Sequence, residues 1–184
     1  PLGRLEWIKL FGVLFNREEE AKAFFEEQVA RIEPILQKEK TGLQVAFFAV
    51  ASDGTITVRK PNDYVASMIA LAGGTYSLGD YVDTEENALS TMKMQMEDFY
   101  AAEKDADVLI YNGTIEGELT SVDDLIQKNS LFADFKAVKT GQVYTTGSNF
   151  YQQTSGTCDF IEDLNKILNG DTDSEFRFLK KIPE

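Results

Sequence analysis

Apolar residues follow two different spacings along this chain, and the change between them divides it into two parts. Up to Lys40 they recur at helical intervals, first over residues 5–15 and then over residues 21–36. From Leu43 onwards, short apolar runs alternate with longer amphipathic stretches. The pattern therefore predicts a helical segment over residues 1–40 and an α/β unit over residues 41–184.

Signals at the helix ends refine the first part. Asn16 precedes three consecutive glutamates after Arg17, and a capping side chain followed by acids predicts the start of the second helix. Pro34 lies inside the same apolar pattern and predicts either a kink or an early end, because proline lacks a backbone N–H. Neither helix belongs to the alternation that follows, so together they are interpreted as a connecting element.

Strands and helices alternate in the second part. Strands are predicted over residues 43–50, 55–59, 107–111 and 142–145, and helices over residues 63–71, 87–104 and 158–168, with shorter ones from 121 and over 131–135. Residues 179–183 give no clear prediction. Asp53-Gly54 predicts a two-residue hairpin turn between the first two strands. Strands separated by helices favour a parallel or mixed sheet with helices on both faces, a three-layer α/β fold.

Several predicted strands end abruptly in polar and glycine residues. The clearest is Asp107–Gly113, where an apolar run stops at Tyr111 and Asn112. The strands that lead to Asp53 and Asn149 end in the same way. Open α/β sheets bind ligands in loops beyond the carboxyl ends of their strands. The sequence therefore predicts a binding or catalytic site at this edge of the sheet.

Composition argues against several classes of function. The 184 residues carry a formal net charge of −13, which argues against a nucleic-acid partner because phosphate backbones require clustered Lys and Arg. The chain has no His, so it lacks the commonest general base, the commonest transition-metal ligand and the usual partner of Ser and Cys nucleophiles. Cys158 stands alone, which excludes an internal disulfide, and is interpreted as a packing residue.

The order of the motifs resembles the carboxyl-terminal half of the substrate-binding proteins of ABC importers for iron-siderophores, haem and vitamin B12. Asn16–Leu36 is similar to the long helix that connects the two lobes of those proteins. Lys60–Gly74 is similar to a cleft loop and helix that end in paired glycines. Met96–Tyr100 followed by Asp105–Ile110 resembles their acidic helix and following strand, and Val143–Tyr151 resembles the final cleft loop of the vitamin B12-binding members.

This resemblance covers nearly the whole chain and implies a Rossmann-like carboxyl-terminal lobe, preceded by a long interlobe helix. The implied function is to capture a pre-formed iron chelate, haem or corrinoid between two lobes and deliver it to the permease. The implied partners are the transmembrane permease subunits and an amino-terminal lobe that this chain lacks. The chain starts at Pro1 without an initiator Met, so we expect it to be a piece of a longer protein. The implied location is extracytoplasmic, either periplasmic or lipid-anchored on the outer face of the membrane.

Three groups of loop residues are candidates for ligand contact. The first lies at a helix start, where free backbone N–H groups beside a Lys suit an anionic chelate, although a solvated cap is an equally good interpretation. The second follows the central strand, where Gly113 permits a plain turn and the preceding Tyr is alternatively the last core residue. The three groups are Lys60, Asn62 and Tyr64; Tyr111, Asn112 and Thr114; and Ser148, Asn149, Phe150 and Tyr151.

The third group contains two adjacent aromatic residues in a polar loop. Successive side chains of an extended segment point in opposite directions, so Phe150 and Tyr151 are not expected to enter one core together. One exposed ring would offer apolar contact or a face for a planar or cationic ligand. The resemblance places Phe150 at the position where an aromatic ring contacts the ligand.

Glu97 and Asp98 are candidates for a different role. The resemblance implies that an acid near the start of this helix pairs with arginines of the permease, and Glu97 matches best in spacing, with Asp98 as its neighbour. Exposed carboxylates of this kind give fast and reversible electrostatic docking. The alternative is an ordinary solvated helix face.

Two other classes of function compete with a receptor. An enzyme of doubly wound α/β type would have to use carboxylate or Lys chemistry, because the chain contains no Gly-x-Gly-x-x-Gly, phosphate loop or Gly-x-Ser-x-Gly elbow. A receiver-like signalling domain would need acids after its first strand, and here the first strand follows forty helical residues. We therefore expect no catalysis, no resident cofactor and no metal held by this lobe alone, although Tyr and carboxylates are able to bind iron.

Overall fold

The structure is a computed structural model, and it describes residues 1–82, 89–114, 116–148, 150–171 and 174–183. Its α-helices are α1 (Leu2–Leu14), α2 (Glu18–Leu36), α3 (Tyr64–Leu71), α4 (Met96–Glu103), α5 (Val122–Lys128), α6 (Lys136–Lys139) and α7 (Thr157–Leu168). Its strands are β1 (Gln44–Val50), β2 (Ile56–Arg59), β3 (Thr75–Tyr76), β4 (Thr91–Met94), β5 (Val108–Tyr111), β6 (Val143–Thr146) and β7 (Leu179–Lys181). Short 3-10 helices cover Ser130–Asp134 and Thr154–Gly156.

These strands form one mixed sheet in the order β4-β2-β1-β5-β6-β7, with β3 paired to β1. The central strands β1, β5 and β6 are parallel, whereas β2, β4 and β7 add antiparallel edges. Both faces of β1 are covered by aromatic side chains. Phe47 contacts the ring of Phe150 on one face, and Phe48 contacts Phe99 and Phe132 on the other. A strand buried on both faces explains the continuous apolar run that begins at Val45.

The α1–α2 pair folds back on itself as a helical hairpin. Gly12 of α1 is buried, and a Cβ at this position would lie 2.6 Å from the Cβ of Ala21 in α2. Glycine therefore allows the two helices to approach closely. Leu5 of α1 and Ile32 of α2 are fully buried in the main core, so the hairpin lies against the lobe and does not stand apart from it.

A charged cluster fastens α2 to α7. Arg31 donates to both oxygens of Glu162, at 3.0 and 2.6 Å, and to Asp159 at 2.5 Å. These hydrogen bonds to Glu162, together with the nearby charges, raise the pKa of Arg31 further above its ordinary value, so it stays charged. Lys38, just beyond the end of α2, donates to Asn165 of the same partner helix. The hairpin is thereby held in a fixed direction along the lobe.

Two predictions about the helical boundaries were wrong, and of the two alternatives predicted for Pro34 the early end of the helix was wrong. Asn16 does not cap α2: its φ is +53°, and the residue at the cap position is Arg17. Pro34 lies inside α2, which continues to Leu36 and does not end at the proline. The predicted helix over residues 87–104 begins only at Met96, because Thr91–Met94 pairs with β2 as a strand. Residues 87 and 88 lie outside the described part.

Two smaller differences concern the sheet edges. The β1–β2 ladder closes at Val50 and Ile56, and Ala51 N–H donates to the Thr55 carbonyl, so the turn around Gly54 is longer than two residues. Leu179–Lys181, which gave no clear prediction, pairs with β6 as an edge strand. The mixed α/β sheet with helices on both faces is confirmed.

Candidate ligand-binding site

A cavity of about 430 Å³ opens over one face of the sheet. Its floor is formed by Ala49, Thr57 and Thr91, which lie on adjacent strands β1, β2 and β4. These residues share a face because β1 pairs Ala49 with Thr57, and Arg59, two residues on, pairs with Thr91. The walls bring together Arg4, Arg59, Tyr64, Asn112 and Tyr151. We call this site the arginine–tyrosine cavity.

Arg59 is the most constrained charged residue of the cavity. It is only 4% exposed, its Nη1 donates to Ser90 Oγ at 3.0 Å, and its Nε lies 3.6 Å from the Asp63 carboxylate. Its guanidinium carbon lies 4.7 Å from the ring centroid of Tyr151 and 5.6 Å from that of Tyr64. A guanidinium between two aromatic rings and a carboxylate keeps one orientation, because its planar fork is already partly paired.

Arg4 extends this arrangement from α1. Its guanidinium carbon lies 4.2 Å from the ring centroid of Tyr64, and the side chain is exposed. Arginines and tyrosines therefore alternate through the cavity in the order Arg4, Tyr64, Arg59 and Tyr151. Since Arg4 belongs to α1 and the other three belong to the lobe, the cavity is shared between the two parts of the chain.

Hydrogen bonds hold in place the wall of the cavity that Asn112 and Tyr151 form. Asn112 Nδ2 donates to the Tyr151 hydroxyl at 2.7 Å, while Thr114 donates to Asn112 Oδ1 through its N–H and its hydroxyl, at 3.2 and 2.6 Å. Burial raises the pKa of Tyr64 and of Tyr151, which Arg59 opposes in both cases. Both hydroxyls therefore stay protonated near neutral pH. They are able to donate hydrogen bonds to a ligand.

Gly113 makes this wall possible. A Cβ at Gly113 would lie 2.5 Å from the carbonyl oxygen of Thr146, so the loop after β5 approaches the end of β6 as closely as a backbone allows. Its N–H donates to Thr146 Oγ1 at 3.1 Å. The residue has a packing role, in keeping with the interpretation of a plain turn.

Two aromatic residues proposed for ligand contact are buried. Tyr111 is fully buried under the rings of the core, which agrees with its interpretation as the last core residue of the strand. Phe150 is 5% exposed and packs against Phe47, Phe160 and Phe178. The half-exposed ring of the pair is Tyr151, whereas the resemblance points to Phe150.

The remaining predicted contact residues lie away from this cavity. Among the described residues, Lys60 is half-buried and Asn62 is exposed, and neither is part of the cavity wall. The helix start beside them is capped by Asp63, whose Oδ1 accepts from Val65 N–H at 2.9 Å. Ser148 lines a separate polar cavity beside Arg177. Asn149 lies outside the described residues.

Arg4 and Arg59 were missed by the sequence reasoning. Arg59 carries a signal that could have found it, because it follows Ile56 and Val58 in a short strand, where a charged side chain on a covered sheet requires partners. Arg4 carries no such signal. Its position depends on how α1 folds back across the lobe.

Two kinds of feature are absent from the described part of the chain. No group of three or more Cys, Asp or Glu side chains lies in a position to hold a metal ion. No described helix combines the length and apolar character needed to cross a membrane.

One known protein family matches most of this chain. A family model described as periplasmic binding protein matches residues 2–150. The chain belongs to the periplasmic binding protein family. This confirms the relationship that the motif order predicted.

Relatives of this periplasmic binding protein are longer than the chain itself. An uncharacterized lipoprotein of Methanocaldococcus jannaschii is 32% identical over 171 residues, which cover 92% of this chain and 39% of that protein. Two further proteins of the same organism are matched over 47% and 55% of their lengths. The chain thus spans about half or less of the curated relatives it matches.

Solved structures show the same fold. An ABC-type Fe3+-hydroxamate transport system protein from Saccharomonospora viridis superimposes with a TM-score of 0.71 at 18% identity, covering 90% of this chain and 55% of the other. The periplasmic haem-binding protein HutB of Vibrio cholerae gives a TM-score of 0.69 at 13% identity, with coverages of 87% and 60%. At these identities the likeness establishes the architecture of a periplasmic binding protein lobe.

The two acids predicted to dock the permease lie on an exposed surface of this lobe. Glu97 and Asp98 occupy the first turn of α4, and both side chains are exposed. Carboxylates at this end of a helix also interact favourably with its dipole. The position is compatible with docking and with an ordinary helix start, so the role of these residues stays a prediction.

Proposed function

We propose that this chain is the carboxyl-terminal lobe of the solute-binding component of an ABC importer. The whole protein would capture an iron-siderophore, haem or cobalamin-type ligand between two lobes and deliver it to the permease, without catalysis. The observation that carries this proposal is the arginine–tyrosine cavity, where two guanidiniums, two tyrosine rings and Asn112 converge on one open space. Such a mixture of aromatic surface and a few oriented polar groups is typical of small-molecule sites.

The exposed face of α1 supports the proposal that a second lobe packs against this chain. Trp7, Leu10, Phe11 and Leu14 follow the i, i+3, i+4, i+7 spacing of one helix face and are 61%, 45%, 54% and 66% exposed. Soluble proteins rarely leave such a stripe uncovered. We call it the α1 stripe. An amino-terminal lobe packed on it would complete the half-site that this chain presents, in accordance with the greater length of the relatives.

The fastening of α2 supports a stiff connection between the lobes. Arg31 bridges α2 to two acids of α7, which limits bending of the connector relative to this lobe. A receptor with such a connector would close only slightly around its ligand. Capture would then depend on a site that is already formed, such as the cavity walled by Arg59 and its tyrosines.

Some proteins with the same fold have a known cargo, and this supports the proposed class of ligand. Neighbours with this fold include a haem-binding protein, an Fe3+-hydroxamate transport protein and a protein solved with ferrichrome. A lipoprotein among the relatives supports an extracytoplasmic location, with a lipid anchor on the outer face of the membrane as the proposed form of attachment. Glu97 and Asp98 are proposed to contact the permease.

A binding titration of the longer natural polypeptide tests the proposal. The purified protein is titrated with haem, a ferric siderophore and cyanocobalamin while visible absorbance and protein fluorescence are recorded. Saturable binding of at least one of them is expected, and Tyr64→Ala should weaken it because the ring forms a wall of the cavity. Tyr81→Ala is the matched control, since Tyr81 is 43% exposed and is not part of that wall. Equal loss of affinity in both variants, or no binding at all, would contradict the proposal.

The docking role of α4 has its own test. Glu97→Arg is expected to slow uptake in a reconstituted transporter while leaving ligand affinity unchanged, because the residue is exposed and lies outside the cavity wall. Lys93→Glu, an exposed charge reversal on the neighbouring strand, serves as control. A loss of ligand affinity in the Glu97 variant would instead place that residue in the cleft.

A further inference from the structure

We propose that Arg4 and Arg59 form a two-point anion subsite, which selects metal chelates that carry at least two ionised oxygen groups. This inference rests on the proposed function and deepens it, because it assigns a charge class to the cargo. One guanidinium comes from α1 and the other from the lobe. A ligand with a single anionic group, or with none, would engage at most one of the two guanidiniums.

The local charge is opposite to that of the whole chain. The formal net charge is −13, yet the described residues that line the cavity include two arginines and neither Asp nor Glu. Asp63 is the carboxylate closest in sequence, but it is buried, caps α3 and lies against Arg59 without belonging to the cavity wall. A positive site within an acidic protein attracts anions locally and is poorly suited to a cationic ligand.

The geometry of the two guanidiniums differs, and this defines their roles. Arg59 is held by Ser90 and Asp63 and lies between two rings, so its orientation is set before a ligand arrives. Arg4 is exposed and lies over the outer side of the cavity, in contact with the Tyr64 ring. The buried arginine supplies a fixed point, and the exposed one supplies a second point that adjusts to the ligand. Anionic oxygens suit both, since a guanidinium donates charge-assisted hydrogen bonds to carboxylate and similar groups. Arg59 has N–H donors beyond the Nη1 that bonds Ser90 and the Nε that faces Asp63.

The tyrosines complete the recognition of such a ligand. Their protonated hydroxyls donate hydrogen bonds, and the Tyr151 hydroxyl is oriented by Asn112 at 2.7 Å. Because the Tyr151 oxygen accepts from Asn112, its hydroxyl proton is directed away from Asn112 and is able to bond an anionic oxygen of the ligand. The same rings keep both guanidiniums in place through cation–π contact, which makes the four side chains act as one unit.

Competition between anionic and neutral chelates tests the inference. Haem, with two ionised propionates, and ferric citrate are compared with neutral ferrichrome and neutral cyanocobalamin in equilibrium titrations of the longer polypeptide at low salt. The anionic chelates should bind at least about tenfold more tightly than the neutral ones, and added salt should reduce this preference.

Variants then assign the preference to the two arginines. Arg4→Gln should weaken the anionic chelates about tenfold and leave any binding of the neutral ones unchanged, because it removes one charge-assisted contact. Arg17→Gln is the matched control, since Arg17 is exposed, pairs with Glu20 and lies outside the cavity wall. Arg59→Lys keeps the buried charge but loses the planar fork, so it should weaken the same chelates without unfolding the lobe, as checked by circular dichroism.

The outcomes separate this inference from the function on which it rests. Equal affinity for anionic and neutral chelates, or an Arg4→Gln effect that is the same for both, overturns the anion subsite and leaves the receptor function in place. A protein that binds neither kind of chelate overturns both. Selective weakening of the anionic chelates in the Arg4 and Arg59 variants supports both.

Discussion

Glu103 gives the sharpest prediction about stability, because its carboxylate is buried without a partner. The side chain is 0% exposed, and neither oxygen has a hydrogen-bond partner among the described residues. Burial raises the pKa of Glu103 from 4.5 to about 7, and the neighbouring Ser77 opposes this shift only in part. The Ser77 hydroxyl itself donates to the Val45 carbonyl. The folded protein is therefore expected to be more stable when the Glu103 carboxyl group is protonated than when it is ionised.

The sign and size of the effect follow from this shift. Because the folded-state pKa lies above the unfolded one, the favourable contribution is present below about pH 4.5 and is lost as the pH rises through about 7. The loss amounts to about 3 kcal/mol at pH 8, since one pKa unit corresponds to about 1.4 kcal/mol. Glu103→Gln stays neutral and should exceed the wild type in free energy of unfolding by up to this amount at pH 8.

Urea denaturation between pH 4.5 and 8 measures this difference. The stability gap between Glu103→Gln and the wild type should be small at the acidic end and should widen as the pH increases. Glu97→Gln, an exposed position on the same helix, is the control for the substitution itself. A gap that is constant with pH, or that narrows towards pH 8, would refute the reasoning from burial.

Three further predictions concern the site and the helical hairpin. Asp63→Ala should lower the free energy of unfolding by at least about 1–2 kcal/mol in urea titrations, because it removes the cap from Val65 N–H and also the carboxylate beside the buried Arg59. Unchanged stability would contradict both roles. Gly12→Val should cost about 1–3 kcal/mol in thermal or urea unfolding, because its side chain would meet Ala21 at the helix crossing; an unchanged midpoint would contradict that close approach. Leu14→Lys interrupts the α1 stripe at an exposed position, so it should reduce self-association of the 184-residue chain in sedimentation experiments. The free energy of unfolding should change by less than about 0.5 kcal/mol. A wild-type chain that stays monomeric at high concentration would contradict the idea that the α1 stripe drives association.

The parallel centre of the fold could be predicted because its strands are buried on both faces. Such strands appear as short continuous apolar runs, as in β1 and β5. The helix starts at residues 63 and 121 were also predicted, and the structure shows the Asp63 and Ser121 side chains capping these helices. Local sequence was sufficient where one residue type has one dominant role.

The edge of the sheet could not be predicted in the same way. The segment Thr91–Met94 contains Met92 and Met94 on the buried side and Lys93 on the exposed side, an alternation of only four residues. It runs directly into α4, whose apolar positions continue at helical spacing. The segment forms a strand because it pairs with β2, and this pairing is a tertiary interaction that the local sequence does not reveal.

The candidate site was predicted in part for a related reason. Tyr64, Asn112, Thr114 and Tyr151 do come together around the cavity or in the hydrogen-bond network behind it. The choice between Phe150 and Tyr151 depended on which ring fills the space beside Phe47, and sequence alternation does not settle that. Arg4 depended on the return of α1 across the lobe.

Paramagnetic NMR of the 184-residue chain tests the central claim most directly. A bound ferric ion broadens the amide signals of nearby residues, whereas the matching gallium chelate is diamagnetic and does not, so the comparison locates the metal even when a half-site binds weakly. Ferric citrate should selectively broaden the signals of Arg59, Tyr64 and Tyr151. Broadening centred on Gln44 and Asp107 at the opposite edge of the sheet, or no selective broadening at any concentration, would contradict a ligand site in the arginine–tyrosine cavity.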